Sequence, residues 1–490
     1  MSDKKLNILF AAAEVVPYAK TGGLADVAAA LPKAIGSLGH NIIVVMPRYY
    51  KIDIAQLQKL DAPLGVHMGI MGELWAAVYK GKLPNSSVPI YFIDYEHYFG
   101  RDGLYEDKNG EFGDNDKRFI FFSKAALQLC KLLNFTPDII HANDWHTAAM
   151  PLLSKTMFYH DFAYAASVVT IHNLQHQGNF DKAIMDVTEV GWEHFNSLEF
   201  ESHGRVNLLK GAISHADALT TVSKKYAQEI QTAEFGFGLE NHIQAHNHKL
   251  FGILNGVDYD EWSPAVDEYL IKKYDVRKIS GKKDCKEDIQ KHFNLSVRED
   301  VAIIGFVGRF AEQKGIGLIA GVLEGILDLD VQVIMLGTGE KWAEEFFTEI
   351  AYRRENFALH VGYSDALAHK IEAGSDMFLM PSLFEPCGLN QIYSLSYGTL
   401  PIVRATGGLD DTIVNFEESN TQSNGFKFHE ATNDALYHTV YWAIDTYYSN
   451  PKAFEKMKKH SMKEHFGWDD AAREYIEVYK YALKKKEIIK

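Results

Sequence analysis

Two cations set close together after a buried apolar run can neutralise a diphosphate, and this chain carries such a pair. The segment from Gly308 to Gly315 follows the apolar residues 301–307 and holds Arg309 and Lys314. Arg309 offers a forked guanidinium to phosphate oxygens and Lys314 a compact charge, so a departing diphosphate could be stabilised there without a metal. The competing reading is an exposed loop with incidental charges. Further along, the segment from Met380 to Gln391 turns from strand to helix, with Glu385 just before Pro386, Cys387, Gly388 and Leu389. Glu385 could accept hydrogens from sugar hydroxyls while the amides at the new helix start hold hydroxyls or phosphate; helix capping is the alternative. Gly407-Gly408 offers one more glycine turn at a strand end and says little alone.

The run Lys20-Thr21-Gly22-Gly23-Leu24-Ala25-Asp26-Val27 stands between an apolar stretch and a helical pattern. Its glycines let backbone N–H groups approach an anion that also sees the helix dipole, and Lys20 adds a movable charge. A simple chain reversal is the bland alternative. The loop lacks G-x-G-x-x-G and the second apolar run ends Val45-Met46-Pro47-Arg48, without an acid for a ribose, which disfavours NAD. No G-x-x-x-x-G-K-[ST] occurs, which disfavours a P-loop ATPase. Two histidine-bearing segments, His141 to His146 with Asp144, and His172 to Gly178 with His176, each follow a strand-like run. They lack metal-ligand spacing such as H-E-x-x-H, and core or substrate-facing roles both stay open.

These loops need a scaffold that presents strand ends. Apolar runs at residues 7–13, 41–46, 90–93, 139–141, 166–171 and 218–222 alternate with helical patterns at 24–38 and 118–133, which predicts a parallel sheet covered by helices on both faces. From 259 to 300 the pattern weakens, and 271–291 is crowded with Lys, Asp and Glu around Gly281, which suggests a domain boundary. A second series follows at 301–307, 331–336, 376–380 and 400–404, and residues 468–490 read as one amphipathic helix with a solvated, Lys-rich end. Two doubly wound α/β domains are expected to turn the carboxyl ends of their sheets toward one cleft.

Composition agrees with this plan and excludes several classes. The 490 residues are 47% hydrophobic and 23% charged, with a formal net charge of −15, which argues against a disordered chain, a coiled coil or a uniformly basic nucleic-acid binder. Cys130, Cys285 and Cys387 stand far apart, so neither a disulfide framework nor a zinc site is expected. The opening residues lead directly into a short apolar run, without the features of a signal or transit segment, and no run approaches a bilayer span. A cytoplasmic enzyme is the expectation.

Taken in order, Lys20 to Val27, Asp144-Trp145-His146, His172-Asn173-Leu174, Asn255-Gly256-Val257-Asp258 with Trp262-Ser263-Pro264, Gly308-Arg309 with Lys314-Gly315, and Phe384 to Leu389 resemble the bacterial glycogen synthase family, the ADP-glucose-dependent glycogen and starch synthases. The resemblance runs from Leu6 to about Tyr479. It implies the GT-B fold, with residues 1–262 as one Rossmann-like domain, 263–465 as a second, nucleotide-sugar-binding one, and 466–490 as a helix crossing back to the first. It also implies retaining transfer of glucose from ADP-glucose to the non-reducing end of an α-1,4-glucan. Neither a metal nor another cofactor is expected, and the partners are those two substrates, with no nucleic acid and no membrane; the oligomeric state stays open.

By matching motif, Lys20 and Gly23 would contact the diphosphate or glucose, with Asp26 in the same substrate-binding loop. Arg309 and Lys314 would neutralise the leaving ADP, and Glu385 with the Cys387, Gly388 and Leu389 backbone would hold glucosyl hydroxyls. His172 would sit beside the donor glucose, Asp144 and Asn255 would line the cleft, and Tyr363 resembles the adenine-stacking aromatic. Tyr393 stands eight positions after Glu385, where many retaining enzymes of this fold carry a second Glu, and Asn390 replaces a common Thr; the glycogen and starch branch resembles this chain in lacking that Glu. With Glu385 committed to hydroxyls, a same-face route through an oxocarbenium-like state is favoured over double displacement. Rivals are a UDP-sugar transferase or a glucan phosphorylase of the same fold, the latter lacking an identifiable pyridoxal-phosphate lysine, and a catalytically silent glucan-binding protein.

Overall fold

Strands that alternate into two different hydrophobic clusters need cover on both faces, and the six-stranded sheet of this protein is built that way. In a computed structural model that describes residues 4–488, Ile304 and Phe306 enter one core cluster with Val333, Met335, Leu379 and Ile402. Their neighbour Ile303 enters another with Ile334, Phe378 and Val403. Residues 1–3, and 489–490 at the end of the predicted last helix, lie outside the described residues. The chain forms two units: the first runs to Gly256 and resumes at Trp468, and the second is Val257–Gly467.

In the first unit the strands are β1 (Asn7–Ala11), β2 (Asn41–Pro47), β3 (Glu73–Lys82), β4 (Pro89–Asp94), β5 (Ile139–Asn143), β6 (Ala166–Ile171), β7 (Ala218–Thr221) and β8 (Leu250–Gly252). They belong to a ten-stranded sheet in which the order is β8-β7-β6-β5-β1-β2-β4-β3, with two short strands beyond. Pairing is parallel from β8 to β4. The sheet is not parallel throughout, because β3 runs antiparallel to β4. Its alternation buries Ala76 and Val78 while Trp75 stands exposed, a half-solvated pattern that a short search for continuous apolar runs passes over. Helix α1 (Gly23–Ser37) opens straight out of the glycine loop and buries Leu24, Val27, Ala28, Leu31 and Ile35. Also in this unit are α2 (Asn115–Leu132) and α3 (Leu208–His215).

In the second unit α4 (Gly281–His292) occupies the charged stretch that suggested a boundary. Two of its lysines are buried and satisfied, while Lys283 and Lys291 stand exposed: Lys282 Nζ donates to Ala373 O (3.0 Å) and Thr399 Oγ1 (2.7 Å), and Lys286 Nζ pairs with Asp376 Oδ2 (2.7 Å). The charged stretch is therefore a helix of the second unit, docked through those two lysines, rather than a linker. The unit begins earlier, at Val257, whose N–H bonds Phe466 O (2.8 Å), and Trp262 stacks between His369 and Tyr393 with both centroid separations at 3.8 Å. The strands β9 (Ala302–Val307), β10 (Val331–Gly337), β11 (Phe357–Val361), β12 (Met377–Met380), β13 (Leu400–Arg404) and β14 (Phe426–Phe428) pair in the order β11-β10-β9-β12-β13-β14, all parallel. Helices α5 (Ile316–Leu327) and α6 (Asn390–Tyr397) follow β9 and β12.

The last helix, α7 (Trp468–Ile488), belongs to the first unit, where it packs on α1, β6 and β7. Tyr475 and Tyr479 are fully buried, and Tyr479 Oη meets His141 Nδ1 at 2.7 Å while His141 Nε2 meets Thr170 Oγ1 at 2.6 Å. His141 is thereby a core histidine that ties β5 to β6 and α7.

Candidate active site

Open α/β sheets bind ligands where successive connections leave in opposite directions, and each unit has one such point. In the first unit β1 lies between β2 and β5, so the loops after β1 and β5 diverge there. The loop after β1 is organised by Glu14, a buried carboxylate that the sequence reading passed over. It accepts the Thr21 hydroxyl (2.6 Å), the Tyr105 hydroxyl (2.6 Å), the Gly22 N–H (3.3 Å) and the Thr21 N–H. An acid directly after a buried strand and ahead of a glycine pair was the available signal. The same loop presents Lys20, whose Nζ lies 2.8 Å from Asp26 Oδ1, both side chains partly exposed. A Cβ added at Gly22 or Gly23 would meet nothing within 4 Å, and neither residue needs a positive φ, so the protein's own packing gives no reason for glycine at either position.

After β5, Asp144 takes a left-handed φ of 54° and its Oδ1 accepts the His172 N–H at 2.7 Å. Burial pushes its carboxyl up to about 7, against the amide bonds from His172 and Asn173 that favour the charged form. His172 follows β6, and burial pushes its imidazole down to about 3, so it is neutral at physiological pH. Its Nε2 lies 2.9 Å from Asn143 Oδ1, whose amide Nδ2 donates to Ala11 O at 3.0 Å. Since a carboxamide oxygen only accepts, Nε2 carries the proton and Nδ1 is left as an acceptor. Asn255, beyond β8, is buried with its Oδ1 unpartnered. His146 stacks on Tyr105 at 4.7 Å and belongs to the packing around Glu14.

In the second unit β9 lies between β10 and β12, and the two loops that diverge there are stitched together. Leu383 N–H donates to Gln313 O (2.8 Å) and Gln313 Nε2 to Phe384 O (3.4 Å). Lys314 Nζ lies 2.6 Å from Glu385 Oε2, with side-chain exposures of 24% and 7%, and Ser382 Oγ donates to the same oxygen at 2.9 Å. The structure thus pairs two residues that the sequence treated as separate, and it commits one Glu385 oxygen to the protein. Arg309 stands exposed, and no carboxylate pairs with it among the described residues. Cys387, Gly388 and Leu389 precede α6, and Asn390 Nδ2 donates to Val307 O at 2.8 Å, anchoring the helix to the end of β9. Tyr393 spends its ring on Trp262. Tyr363, after β11, is 78% exposed with its hydroxyl 3.1 Å from Asp365 Oδ1.

The Gly407-Gly408 turn turns out to be a buttress for this loop. A Cβ at Gly407 would lie 1.9 Å from Glu385 O, and one at Gly408 1.9 Å from Cys387 O; the Gly408 N–H instead donates to Glu385 O and Pro386 O at 3.2 Å each. Only glycine permits so close a backbone approach. Arg404 reinforces it, donating to Leu383 O and to His429 O (3.0 Å).

Residues 7–245 match the family described as starch synthase catalytic domain, and residues 287–463 match glycosyl transferases group 1. Among curated proteins the chain is 51% identical over 487 residues to glycogen synthase 1 of Geobacter sulfurreducens, covering 98% of this chain and 97% of that one. It is 42% identical over 488 residues to glycogen synthase of Treponema denticola, covering 98% and 99%. Among solved structures, the catalytic domain of Starch Synthase IV from Arabidopsis thaliana bound to ADP and acarbose matches with a TM-score of 0.91 at 31% identity, over 98% of this chain and 100% of that one.

Proposed function

This chain belongs to the glycogen and starch synthase family of glycosyltransferases, and from that premise we propose that it lengthens α-1,4-glucan chains by moving glucose from ADP-glucose to their non-reducing ends, with retention at the anomeric carbon and release of ADP. The observation that carries this reading is the Lys314–Glu385 pair at the β9/β12 divergence, with Arg309 unpaired on the same loop. Two cations of this kind suit the charge that develops on a departing diphosphate, and the remaining Glu385 oxygen suits a sugar hydroxyl.

In the proposed reaction Arg309 grips phosphate oxygens and Lys314 adds a point charge held in place by Glu385. The amides of Cys387, Gly388 and Leu389 hold glucosyl hydroxyls beside that carboxylate, and Tyr363 stacks on adenine. On the first unit, Lys20 in the loop after β1 and Gly23 and Asp26 in the first turn of α1 meet the donor, and the absence of any packing reason for Gly22 and Gly23 supports close approach by a substrate. His172, neutral with Nδ1 as acceptor, takes a hydroxyl hydrogen of the donor glucose. Asp144 and Asn255 add polar atoms to the same substrate surface, and Asp144 fixes the His172 backbone. With Glu385 held by Lys314 and the sugar hydroxyls, and Asp144 by the His172 and Asn173 amides, neither serves as a nucleophile, which supports same-face transfer in which the departing phosphate accepts the proton of the acceptor hydroxyl. Charge neutralisation by Arg309 and Lys314 supports a transfer that uses no metal or other cofactor.

We place the reaction in the cytoplasm. Among the described residues no helix is long and apolar enough to cross a membrane, and the three buried cysteines form no disulfide. Purified protein incubated with glycogen and either ADP-glucose or UDP-glucose tests the reading through nucleotide release. Release from ADP-glucose in preference is expected; UDP preference overturns the donor assignment, and no release with either donor overturns the transfer itself. Glucose 1-phosphate formed from glycogen and phosphate would instead identify a phosphorylase.

A further inference from the structure

The first unit holds a second group of chemistry-bearing side chains, remote in the sheet from those discussed above. His194 Nδ1 lies 2.5 Å and His215 Nε2 2.8 Å from the carboxylate of Glu199, both on Oε2. The three donor atoms fall within 4.8 Å of one another, and the side chains are 20%, 17% and 24% exposed respectively. From these residues we propose a binding site for one divalent transition metal of the zinc class, held by His194 Nδ1, His215 Nε2 and a Glu199 oxygen, with water completing the shell.

The donors are positioned by the fold. His194 ends a short 3-10 turn (Trp192–His194), and its carbonyl accepts the Phe200 N–H at 3.3 Å. The loop carrying Glu199 is pinned by Asn196, whose Nδ2 donates to Glu193 O (2.9 Å) and whose carbonyl accepts the Glu201 N–H (3.0 Å). His215 closes α3, with the Phe200 ring stacked on it at 6.1 Å. The neighbouring cations are already engaged: Lys155 Nζ bonds His215 O at 2.6 Å and Asp217 Oδ1 at 2.8 Å, and Lys210 Nζ bonds Ser197 O at 2.6 Å and Glu201 O at 2.5 Å. Two imidazoles and one carboxylate are a ligand set that zinc, cobalt or nickel takes and that the oxygen-seeking magnesium and calcium do not prefer. Tetrahedral zinc with bonds of about 2.0–2.2 Å wants donor atoms roughly 3.3 Å apart, so the two His–Glu199 spacings of 2.5 and 2.8 Å must open by roughly 0.5–0.8 Å, within reach of a rotation of the partly exposed Glu199.

The site lies at the amino ends of the strands. His215 precedes Asp217, whose N–H bonds Ser167 O next to the start of β6, and β7 begins at Ala218; Asp144 and His172 follow the opposite ends of β5 and β6. The metal would therefore brace the 192–202 excursion against α3 and take no part in glucosyl transfer.

Full-length protein freed of any tag and stripped with a chelator, titrated with zinc by calorimetry and with cobalt by visible absorption, tests the proposal. One equivalent of zinc is expected, with cobalt giving the intense visible bands of a tetrahedral site. His215→Phe and His194→Gln should each weaken zinc binding by at least about 100-fold, while transfer measured without added metal stays within about twofold of the parent. Zinc should raise the melting temperature of the parent and leave that of the variants unmoved. His194→Gln lies in a partly exposed turn, so it keeps the test valid should His215→Phe fold poorly. Absence of saturable one-equivalent binding overturns the proposal. So does binding that persists in both histidine variants but vanishes in Asp365→Asn, which would assign the metal to the Glu261, Asp365 and His369 group instead.

Discussion

Removing Arg309 should cost catalysis and leave folding alone, whereas removing Lys314 should cost both. Arg309 is exposed with no carboxylate partner among the described residues, so Arg309→Ala should change stability by no more than about 0.5 kcal/mol. Lys314 lies 2.6 Å from a carboxylate that is 7% exposed, and Lys314→Met strands that charge. Breaking a fully buried pair costs about 3–5 kcal/mol; the quarter exposure of the lysine lets water screen the pair and brings the expected loss to about 1–2 kcal/mol. Catalytically each change removes charge stabilisation from the departing ADP, worth about 10²- to 10³-fold in kcat, or roughly 2.7–4 kcal/mol. The double variant Lys314→Met/Glu385→Gln removes the stranded charge and should recover melting temperature without recovering rate. Initial rates of ADP release at saturating ADP-glucose and glycogen, with calorimetric melts of the same samples, separate these effects. A kcat for Arg309→Ala within threefold of the parent would refute the charge-neutralisation argument, and an unshifted melt for Lys314→Met would refute the pairing argument.

Gly408→Ala should lower the melting temperature by several degrees, at roughly 2–4 °C per kcal/mol, because its Cβ would lie 1.9 Å from Cys387 O; an unchanged melt with full activity would show that the turn tolerates displacement. Tyr363→Ala should raise KM for ADP-glucose roughly 3- to 10-fold through loss of stacking while leaving the melt unchanged, given its 78% exposure. Burial pushes His141 and His172 down to about 3, whereas the unfolded chain protonates them near 6.5. Between those values the unfolded state holds more protons, so stability falls with falling pH by about 1.4 kcal/mol per pH unit for each histidine. Asp144, pushed up to about 7 from 3.8, acts with the opposite sign in that window. His141→Gln should therefore reduce the upward slope of urea midpoint against pH by about one histidine's share; an unchanged slope would mean that His141 is not held neutral.

Loops that carry the motifs were legible because their residue types are scarce and their positions follow apolar runs: Lys20, Asp144, His172, Arg309, Lys314 and Glu385 all stand at carboxyl ends of strands. What escaped was whatever depends on contacts remote in sequence. Glu14 reads as an ordinary acid until Tyr105, 91 residues away, is seen to donate to it. Gly407-Gly408 reads as a turn until the Glu385 and Cys387 carbonyls appear against it. The charged stretch at 271–291 read as a boundary because Lys282 and Lys286 find their acceptors near Ala373, Thr399 and Asp376, which local composition does not reveal. His141 likewise needed Tyr479, 338 positions on, to be recognised as core.

The membership of α7 in the first unit has a consequence for how the chain is made. A ribosome releases the strands of that unit early, yet the tyrosines that seal β5 and β6 emerge only after the whole of Val257–Gly467 has been synthesised. At roughly 5–20 residues per second, the nascent first unit spends on the order of tens of seconds with an unsealed apolar flank. Chaperone engagement should therefore concentrate on that flank during translation, and a polypeptide stalled before Trp468 should be handed to proteolysis even though its second unit is already complete.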